Sequence, residues 1–343
     1  MSKPYHDSFS AIIDWLEFTV TGLQLESVIL EILKLEKKTF TKMETGRFGY
    51  RSQLKWNEGS LYIMFNATDE QKEDLPKIVD HMGVHVMITG TGCRQYESLR
   101  ELTRLLFYLT ILDEKVNFSR IDIAIDDLEN KTVKFSRIHQ AAIKGHFTSR
   151  WNKWDEVNSR QCATGEFLGR TMYFGSQSSE IFCRIYDKTL ERKAKSEEKS
   201  AESETWTRLE VVYRKERAKK LVYHIIDRKL SVGEAIRGTL KQYIRFIKPP
   251  RNRDSNKARW PSAKWWEQLL DNVEKLQLTS KREPKSIDDM AAWLDRQIAP
   301  TIAAILTAYE GDISWLHDII KNGASRLSQR HRDAITQYLQ EVG

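Results

Sequence analysis

The sequence predicts an α+β fold in which a mixed or antiparallel sheet has helices on one face. Segments with apolar residues at every second position, the spacing of a half-buried strand, recur along the chain and are clearest at 118–127. Segments with apolar residues at helical spacing lie between them, as at 96–112. The succession of strand, helix, paired strands and helix begins again after Asp127, so two similar halves are expected. A small C-terminal helical domain is expected to follow them.

The first half opens with a strand at 12–20, in which apolar residues dominate. Thr21 and Gly22 separate this strand from a segment with helical spacing. Further along, Asn57-Glu58-Gly59 is typical of a turn that joins two antiparallel strands. The elements expected in this half are strands at 12–20, 46–54, 60–66, 85–89 and 118–127, and helices at 23–37 and 96–112.

The second half contains strands first and helices afterwards. A mixed-charge run at 190–204 is typical of a solvated helix or a mobile loop. These patterns divide the chain into an α+β domain at 1–247, a basic linker at 248–264 and a helical domain at 265–343. The elements expected after Asp127 are strands at 169–175, 181–187 and 205–213, and helices at 139–144, 215–228, 232–246, 287–297, 301–309 and 334–339.

Composition limits the classes of protein to which the chain can belong. With 343 residues and 40% hydrophobic content, the chain can bury a large core. No apolar run is long enough to cross a bilayer and no apolar signal segment opens the sequence, so a cytoplasmic protein is expected. Cys93, Cys162 and Cys183 are too scattered for a disulfide framework or a thiolate zinc site. A formal net charge of +7 favours a polyanionic partner.

One short segment, Glu180 to Glu191, places a tyrosine between two cations. If 181–188 is a strand, Arg184, Tyr186 and Lys188 share one face, while the apolar residues between them face a core. Positive charge nearby lowers the pKa of a phenol from its ordinary value of about 10, and the phenolate that forms is a nucleophile. The alternative is a half-buried strand tyrosine with a packed ring and a hydrated hydroxyl group.

Acidic residues lie on one face of the most regular strand. In FSRIDIAIDD, Arg120, Asp122 and Asp126 share a face, and three isoleucines form the reverse face. On the strand candidate at 205–213, the same alternation puts Arg208 beside Glu210. Hard oxygen ligands of this kind suit Mg²⁺ or Mn²⁺. The alternative is a network of ion pairs in which Arg120 binds Asp126 or Arg208 binds Asp122.

The stretch from Lys248 to Lys264 combines prolines, cations and aromatic rings. Cations that neutralise phosphates and rings that stack on bases would suit single-stranded DNA. The alternative is a basic linker whose tryptophans anchor the next domain. The residues that would contact DNA here are Arg251, Arg253, Lys257, Arg259 and Trp260.

Four motifs together carry a family resemblance. In order along the chain they are RIDIAIDD, GRTMYFGS, CRIYDKTLE and TRLEVVY. This string resembles the Rep_trans type of replication initiation proteins, which includes rolling-circle initiators of Gram-positive plasmids, related phage factors and relaxases of conjugative elements. The resemblance covers about Ile12 to Leu270. It implies a two-part mixed sheet like that of other rolling-circle nucleases, with a catalytic DNA-nicking domain at 1–247.

The resemblance also implies a chemistry. The tyrosine of the CRIYDKTLE motif, here Tyr186, is implied to be the nucleophile that cleaves one DNA strand at an origin, leaving a 5′-phosphotyrosine and a free 3′-hydroxyl. Asp122, Asp126 and Glu210 are the implied ligands of Mg²⁺ or Mn²⁺, and Asp127 also fits the acidic end of its motif. The chain has no His-hydrophobe-His pair, which agrees with a metal held by carboxylates.

Basic residues near the motifs would assist this reaction. Lys188, Arg184 and Arg208 are expected to lower the pKa of the tyrosine or to hold phosphate oxygens. Arg120 and Arg208 are also expected to contact DNA. The expected partner is the single-stranded or hairpin DNA of the nick site, and the sequence leaves open whether a host helicase or a second copy of the chain takes part.

Three other functions remain open at the level of sequence. A conjugative or mobilisation relaxase would use the same chemistry, although some relaxases have an N-terminal helix-turn-helix domain for which a first strand at Ile12 leaves no room. A DNA-binding protein without nuclease activity would bind in a salt-sensitive but metal-independent way. A metal nuclease that activates water would leave no protein on the DNA.

Overall fold

The computed structural model describes residues 9–57, 59–66, 82–128, 130–195, 205–250, 254–271, 273, 276, 278 and 287–342. The chain divides into two compact units, Met1–Thr279 and Ser280–Gly343. The second unit thus begins later than the predicted start at 265. Among the described helices, none combines the length and the hydropathy that a membrane crossing requires.

Strands and helices alternate in the first unit, and helices make up the second. The strands are β1 (Phe9–Val20), β2 (Phe40–Met43), β3 (Ser52–Trp56), β4 (Leu61–Phe65), β5 (Val84–Ile88), β6 (Val116–Leu128), β7 (Phe147–Ser149), β8 (Trp154–Arg160), β9 (Phe167–Phe174), β10 (Ile181–Asp187), β11 (Trp206–Arg214) and β12 (Ile244–Phe246). The helices are α1 (Leu25–Ser27, continued by a π-helical turn at Val28–Ile32), α2 (Gly90–Glu97), α3 (Leu102–Leu112), α4 (Phe135–Ile143), α5 (Lys188–Lys195), α6 (Glu216–Asp227), α7 (Val232–Tyr243), α8 (Lys264–Leu270), α9 (Ile287–Gln297), α10 (Ala299–Ala308), α11 (Ser314–Ala324) and α12 (Gln329–Val342).

Within the described residues, ten strands form one antiparallel sheet in the order β2-β3-β4-β5-β1-β6-β11-β10-β9-β8. The central pair is β1 and β6, the first strand of each half. Outward from this pair, the N-terminal half runs β1-β5-β4-β3-β2 and the C-terminal half runs β6-β11-β10-β9-β8. Each half therefore repeats the other, which confirms the predicted two-part α+β sheet. The second half begins with β6, however, and not after Asp127 as predicted.

The apolar face of the sheet forms the core. Ile121, Ile123 and Ile125 of β6 are completely buried, together with Leu209 and Val211 of β11. Helices α3, α6 and α7 pack on the central strands and join the same hydrophobic cluster. Because burying one such side chain contributes about 1.5–3 kcal/mol, this alternation fixes which face of each strand turns inward. The polar residues between these positions lie on the opposite face.

Several elements differ from those predicted, for physical reasons. The helix expected at 96–112 is two helices, α2 and α3, because the chain is extended at Glu101. The strand β8 was not predicted, since most of its residues at this sheet edge are exposed and lack apolar alternation. Helix α11 was also missed, and α12 is longer than predicted.

Candidate active site

Strand register brings the predicted polar residues of the C-terminal half together. Asp126 on β6 lies directly opposite Arg208 on β11, and Arg208 lies opposite Tyr186 on β10. One step along the strands, Glu210 lies opposite Arg184. Residues directly opposite each other in an antiparallel pair share a face, so the three strands present one continuous polar patch.

This patch is the floor of an open groove of about 930 Å³. The groove runs from the centre of the sheet across β10 and β9, and the first turn of α5 borders it. Tyr186 is only 9% exposed, so its ring is packed and its hydroxyl faces the carboxylates. The charged and aromatic residues that line the groove are Asp14, Trp15, Arg94, Arg170, Tyr173, Arg184, Tyr186, Asp187, Lys188, Glu191, Arg192, Trp206 and Arg208.

The Tyr186 hydroxyl donates a hydrogen bond to Glu210 Oε2 at 3.2 Å. Burial raises the pKa of Tyr186, and the nearby charge of Glu210 raises it further, while Arg208 and Arg184 oppose both effects. The expectation that neighbouring cations draw this phenol toward phenolate is therefore wrong for the unliganded site. The reason is that desolvation of the phenolate outweighs the attraction of the two guanidinium groups.

Lys188 does not continue the strand. Strand β10 ends at Asp187, and Lys188 is the first residue of α5. Its ammonium nitrogen is 2.6 Å from Glu191 Oε2 and lies 5.5 Å from the centroid of the Tyr186 ring. The lysine thus enters the groove from the start of a helix, above the ring of the tyrosine, and its charge is already paired.

Two carboxylates beside the tyrosine are completely buried and share a cation. Arg184 binds Glu210 and its Nη2 is 3.8 Å from Asp122 Oδ2. Arg120 forms a bidentate pair with Asp122, with distances of 2.8 and 2.6 Å. Burial raises the pKa of Glu210 to about 7; Arg184 opposes this shift and the charge of Asp122 adds to it. A second cation near this carboxylate pair would offset that cost.

Asp126 faces a different partner. Arg208 donates to both of its oxygens, from Nε at 2.6 Å and from Nη2 at 2.8 Å. The ion pairs considered in the sequence, Arg120 with Asp126 and Arg208 with Asp122, are therefore wrong. The correct pairs are set by register, because Arg208 is opposite Asp126, whereas Asp122 is opposite Val212 and two residues from Arg120.

Of the three predicted metal ligands, Asp122 and Glu210 are the two that remain candidates. Within the described residues, no group of three or more histidine, cysteine or acidic side chains is arranged to hold a metal ion. Asp126 is taken by Arg208, so the predicted ligand set is not assembled here. Asp122 and Glu210 offer buried oxygens of the kind that suits Mg²⁺ or Mn²⁺. Arg120 binds both oxygens of Asp122, and Arg184 and Tyr186 bind those of Glu210, so a metal ion would have to replace some of these contacts.

Asp127 has a structural role. Its carboxylate accepts hydrogen bonds from the backbone N–H groups of Lys131 at 3.1 Å and Thr132 at 2.8 Å, and from that of Val133. These contacts close the loop between β6 and α4. Alternation also places Asp127 on the core side of the strand, so it lies away from Tyr186.

Sequence reasoning missed Asp14. The pairing of β1 with β6 shifts between Ile13 and Trp15, so Asp14 is an inserted residue in a β-bulge. Its Oδ2 is 2.9 Å from Arg208 Nη1. The signal was present in IIDWLEFTV, where the core-facing residues Ile13 and Leu16 are three positions apart instead of two. A bulge is the simplest way to keep both of them in the core.

The predicted DNA contacts of the basic segment lie elsewhere. Lys257, Arg259 and Trp260 are not among the described residues that line the Tyr186 groove. The Trp260 ring donates from Nε1 to the carbonyl of Asp254 at 2.7 Å, and Arg259 pairs with the same aspartate at 3.1 Å. Arg251 and Arg253 lie outside the described residues. The structure therefore separates these positions from the tyrosine, which it groups with the predicted residues Arg120, Asp122, Asp126, Arg184, Lys188, Arg208 and Glu210.

Two protein families match the chain, one in each half of the sheet. Residues 116–320 match the Rep_trans family, described as "Replication initiation factor", and residues 10–112 match Rol_Rep_N, described as "Rolling Circle replication initiation protein N-terminal domain". The two matches meet where β6 begins. The chain is 27% identical over 338 residues to NicK of Bacillus subtilis (strain 168), a protein described as a DNA relaxase, covering 97% of this chain and 90% of that protein.

A solved structure shows the same fold. The rolling-circle replication initiator protein from Geobacillus stearothermophilus superposes with a TM-score of 0.65 at 29% sequence identity. The superposition covers 80% of this chain and 100% of that one. Similarity therefore extends over both halves of the sheet.

Proposed function

This chain belongs to the Rep_trans family of replication initiation factors, and we propose that it nicks and rejoins one strand of DNA at an origin with Tyr186 as the nucleophile. The proposal depends on one observation. The Tyr186 hydroxyl lies in an open groove, hydrogen-bonded to the buried carboxylate of Glu210 and next to the guanidinium groups of Arg184 and Arg208. A nucleophile, a proton acceptor and two cations in one water-poor site suit phosphoryl transfer.

In the cleavage step, Tyr186 Oη attacks the phosphorus of the scissile phosphodiester. The bond from phosphorus to the 3′ oxygen breaks, and the leaving oxygen takes up a proton from water, which gives a 5′-phosphotyrosine and a free 3′-hydroxyl. Glu210 Oε2 accepts the phenolic proton, because it already accepts the hydrogen bond of the Tyr186 hydroxyl. In the reverse direction the 3′-hydroxyl attacks the phosphotyrosine and the strand is rejoined.

Charge on the phosphate is balanced by residues of the two neighbouring strands. Arg184 Nε is buried and has no hydrogen-bond partner among the described residues, so it can donate to a phosphate oxygen. Arg208 is held by Asp126 and Asp14 and stabilises the tyrosine oxygen electrostatically. Asp122 and Glu210 would hold Mg²⁺ or Mn²⁺, which when bound supplies Lewis-acid stabilisation of phosphate charge.

The groove also suits a single strand of DNA. Trp15, Tyr173 and Trp206 line it and offer ring surface to bases, while Lys188 and Arg192 border the path of the backbone. In this proposal Arg120 acts by fixing Asp122 and does not contact DNA itself, because its bidentate pair occupies Nε and Nη2. The exposed cations Lys257 and Arg259 contribute to DNA binding outside the groove.

A conjugative or mobilisation relaxase is the second candidate, because the relative from Bacillus subtilis is described as a DNA relaxase. Both candidates share the cleavage chemistry and differ in the process that it starts. A plasmid that carries the cognate site and depends on this protein for its copying would indicate an initiator. A plasmid that is copied without the protein but needs it for transfer would indicate a relaxase.

The test of the chemistry is a denaturing gel of protein with labelled single-stranded DNA from the origin, run with Mn²⁺ and with a chelator. Wild type is expected to form a covalent, metal-dependent adduct, and Tyr186→Phe is expected to bind the DNA without forming one. Tyr173→Phe, a change in the same groove, is the matched control and should retain the adduct. Nicking without an adduct would indicate a water-activating nuclease, and binding without nicking would indicate a DNA-binding protein; either result would reject the proposal.

A further inference from the structure

A second hollow, of about 390 Å³, lies between the C-terminal end of α4, the chain that leaves β12 and the start of α8. Four exposed cations line it: Arg137, Lys144, Lys248 and Lys264. In the described part of the chain, none of them forms an ion pair with a carboxylate, and no acidic residue lines the hollow. We call this site the cationic hollow.

Hydrogen bonds hold the walls of the cationic hollow in place. Arg245 donates to three carbonyl groups of the segment that follows β12: Lys257 at 3.0 Å, Ala258 at 3.0 Å and Trp260 at 3.1 Å. Ile247 also forms a β-bridge with Ser262. The cations therefore project from a fixed frame and not from a free linker, which reduces the entropy cost of binding a ligand.

The aromatic rings of this region are engaged in packing. Trp265 lies 5.1 Å from Phe246 and 5.7 Å from Trp266, measured between ring centroids. Trp260 packs against His146 with a centroid distance of 6.2 Å, and its Nε1 is bonded to the backbone. Single-strand binding sites rely on rings on which bases can stack. A site whose rings are packed and whose cations have no carboxylate partner is suited to phosphates instead.

The cationic hollow and the Tyr186 groove lie on opposite faces of the sheet. Phe246, against which Trp265 packs, also contacts Phe174, a core-facing residue of β9. The neighbouring residue Tyr173 points to the other face and lines the groove. One molecule thus has two separate surfaces for a polyanion.

Local electrostatics agree with an anion site. Partial burial lowers the pKa of His146, and the charges of Lys144 and Lys257 lower it further. The neighbourhood therefore disfavours an additional proton. The charges of Lys144 and Lys257 also favour a bound anion, whereas burial by itself does not.

We infer that the cationic hollow binds the phosphate backbone of double-stranded DNA on the face of the sheet opposite the Tyr186 groove, in which the single strand to be cut lies. The inference rests on the proposed function, since it takes DNA as the polyanion. It adds a second surface, made of Arg137, Lys144, Lys248 and Lys264, and assigns duplex DNA to it. Such contacts position the protein without reading bases.

The test measures binding of a short duplex that lacks the nick sequence, by fluorescence anisotropy across a salt series. The variant combines Lys144→Gln, Lys248→Gln and Lys264→Gln. The control combines Lys220→Gln, Lys229→Gln and Lys321→Gln, which removes the same charge elsewhere. Each lost phosphate contact reduces the slope of log K against log salt by about 0.9, so the variant should show a slope shallower by about 3. The control should keep the wild-type slope.

Three further readouts decide the inference. Nicking of a single-stranded origin oligonucleotide should be unchanged in the triple variant, because Tyr186 and its neighbours are untouched. An unchanged duplex slope, or an equal loss of affinity for single-stranded DNA, would overturn the assignment of duplex DNA. The Tyr186→Phe variant should bind the duplex with the wild-type slope, so a failure of the nicking chemistry is distinguishable from a failure of this site.

Discussion

The two halves of the sheet have the same strand order but different polar faces. In the C-terminal half, β6 and β11 contain Asp122, Asp126 and Glu210, which are buried, and β10 contains Tyr186. In the N-terminal half, β4 takes the place of β10 and contains Tyr62 on the corresponding face. A tyrosine at this place in the fold is therefore not sufficient for the proposed chemistry.

The surroundings of the two tyrosines differ. The ring of Tyr62 has Arg47 above it at 5.0 Å, and a hollow of about 420 Å³ beside it includes Trp15 and Glu17. On the neighbouring strand, His85 forms a hydrogen bond with Thr19 at 2.9 Å. Burial lowers the pKa of His85 to about 4, so the polar face of this half holds a neutral base, whereas that of the other half holds buried carboxylates.

The two halves show that the fold sets the position of a tyrosine, whereas the polar side chains around it determine its chemistry. Asp14 makes the same point, because it lies on β1 of the N-terminal half but reaches Arg208 across the central pair. The bulge at Asp14 is what connects the two halves at the active site.

The largest difference is expected between the two tyrosines. Tyr186→Phe should reduce the rate of nicking by about a thousandfold or more, because the nucleophilic oxygen is removed. Tyr62→Phe should leave the rate close to wild type. Single-turnover nicking of a labelled oligonucleotide measures both, and a comparable loss in the two variants would refute the asymmetry.

The buried carboxylates are expected to come next. Glu210→Gln and Asp122→Asn should each slow nicking by about 10²- to 10³-fold with little change in DNA affinity, since charge stabilisation and proton transfer are lost. Glu17→Gln, on the polar face of β1, is the control and should have a small effect. Thermal unfolding of each variant separates loss of chemistry from loss of fold. Unchanged Mn²⁺-dependent nicking in both variants would reject these carboxylates as metal and proton partners.

Loss of the ion pair between Asp14 of the N-terminal half and Arg208 of the C-terminal half should slow nicking less than loss of a buried carboxylate. Asp14→Asn should slow nicking by about tenfold, because Arg208 keeps its bidentate bonds to Asp126 but loses its third anchor. Arg208→Lys removes both sets of contacts and should be slower than Asp14→Asn. Equal rates for Asp14→Asn and wild type would show that the bulge does not serve the site.

The smallest effect is expected in the way the free energy of unfolding depends on pH. The folded-state pKa of Glu210 is about 7, above its ordinary value of 4.5, so its contribution to stability is complete below 4.5 and is lost as pH rises through 7. The folded-state pKa of His85 is about 4, below 6.5, so its contribution is complete above 6.5 and is lost as pH falls through 4. Each contribution is on the order of 1 to 3 kcal/mol.

The two halves should therefore respond to pH in opposite directions. Without metal, Glu210→Gln should raise the melting temperature relative to wild type more at pH 7.5 than at pH 4.5, as the cost of the buried charge disappears. Replacing His85 by Gln should instead raise it more at low pH. Added Mn²⁺ should stabilise wild type at pH 7.5 and have less effect on Glu210→Gln. The two pKa shifts would be contradicted if the effect on the melting temperature increased with pH in both variants, or decreased with pH in both.

Alternation allowed much of the site to be predicted from sequence. The buried isoleucines of β6 fix the face of Asp122 and Asp126, and the same holds for Glu210 on β11. Alternation also put Tyr186 and Arg184 on one face of β10, and the register with β11, seen only in the structure, joins that face to the same patch. Period-two patterns carry this information because each strand has only two faces.

What could not be predicted depends on contacts between distant segments. The partner of each arginine follows from strand register, which the sequence of one strand does not determine. Burial decides the direction of the pKa shift of Tyr186, and burial depends on the complete fold. Likewise, the segment at 248–264 has the composition of a linker, but Arg245 holds the carbonyl groups of its residues Lys257, Ala258 and Trp260.

The most direct measurement identifies the residue that becomes attached to DNA. The covalent adduct would be treated with nuclease and trypsin, and the nucleotide-bearing peptide identified by mass spectrometry. Cleavage after Arg184 and Lys188 releases the peptide Ile185–Lys188, in which Tyr186 is the sole tyrosine, whereas Tyr173 lies in the adjoining peptide 171–184. The account predicts the nucleotide on Ile185–Lys188. A nucleotide on peptide 171–184, or on a peptide from the N-terminal half, would contradict it.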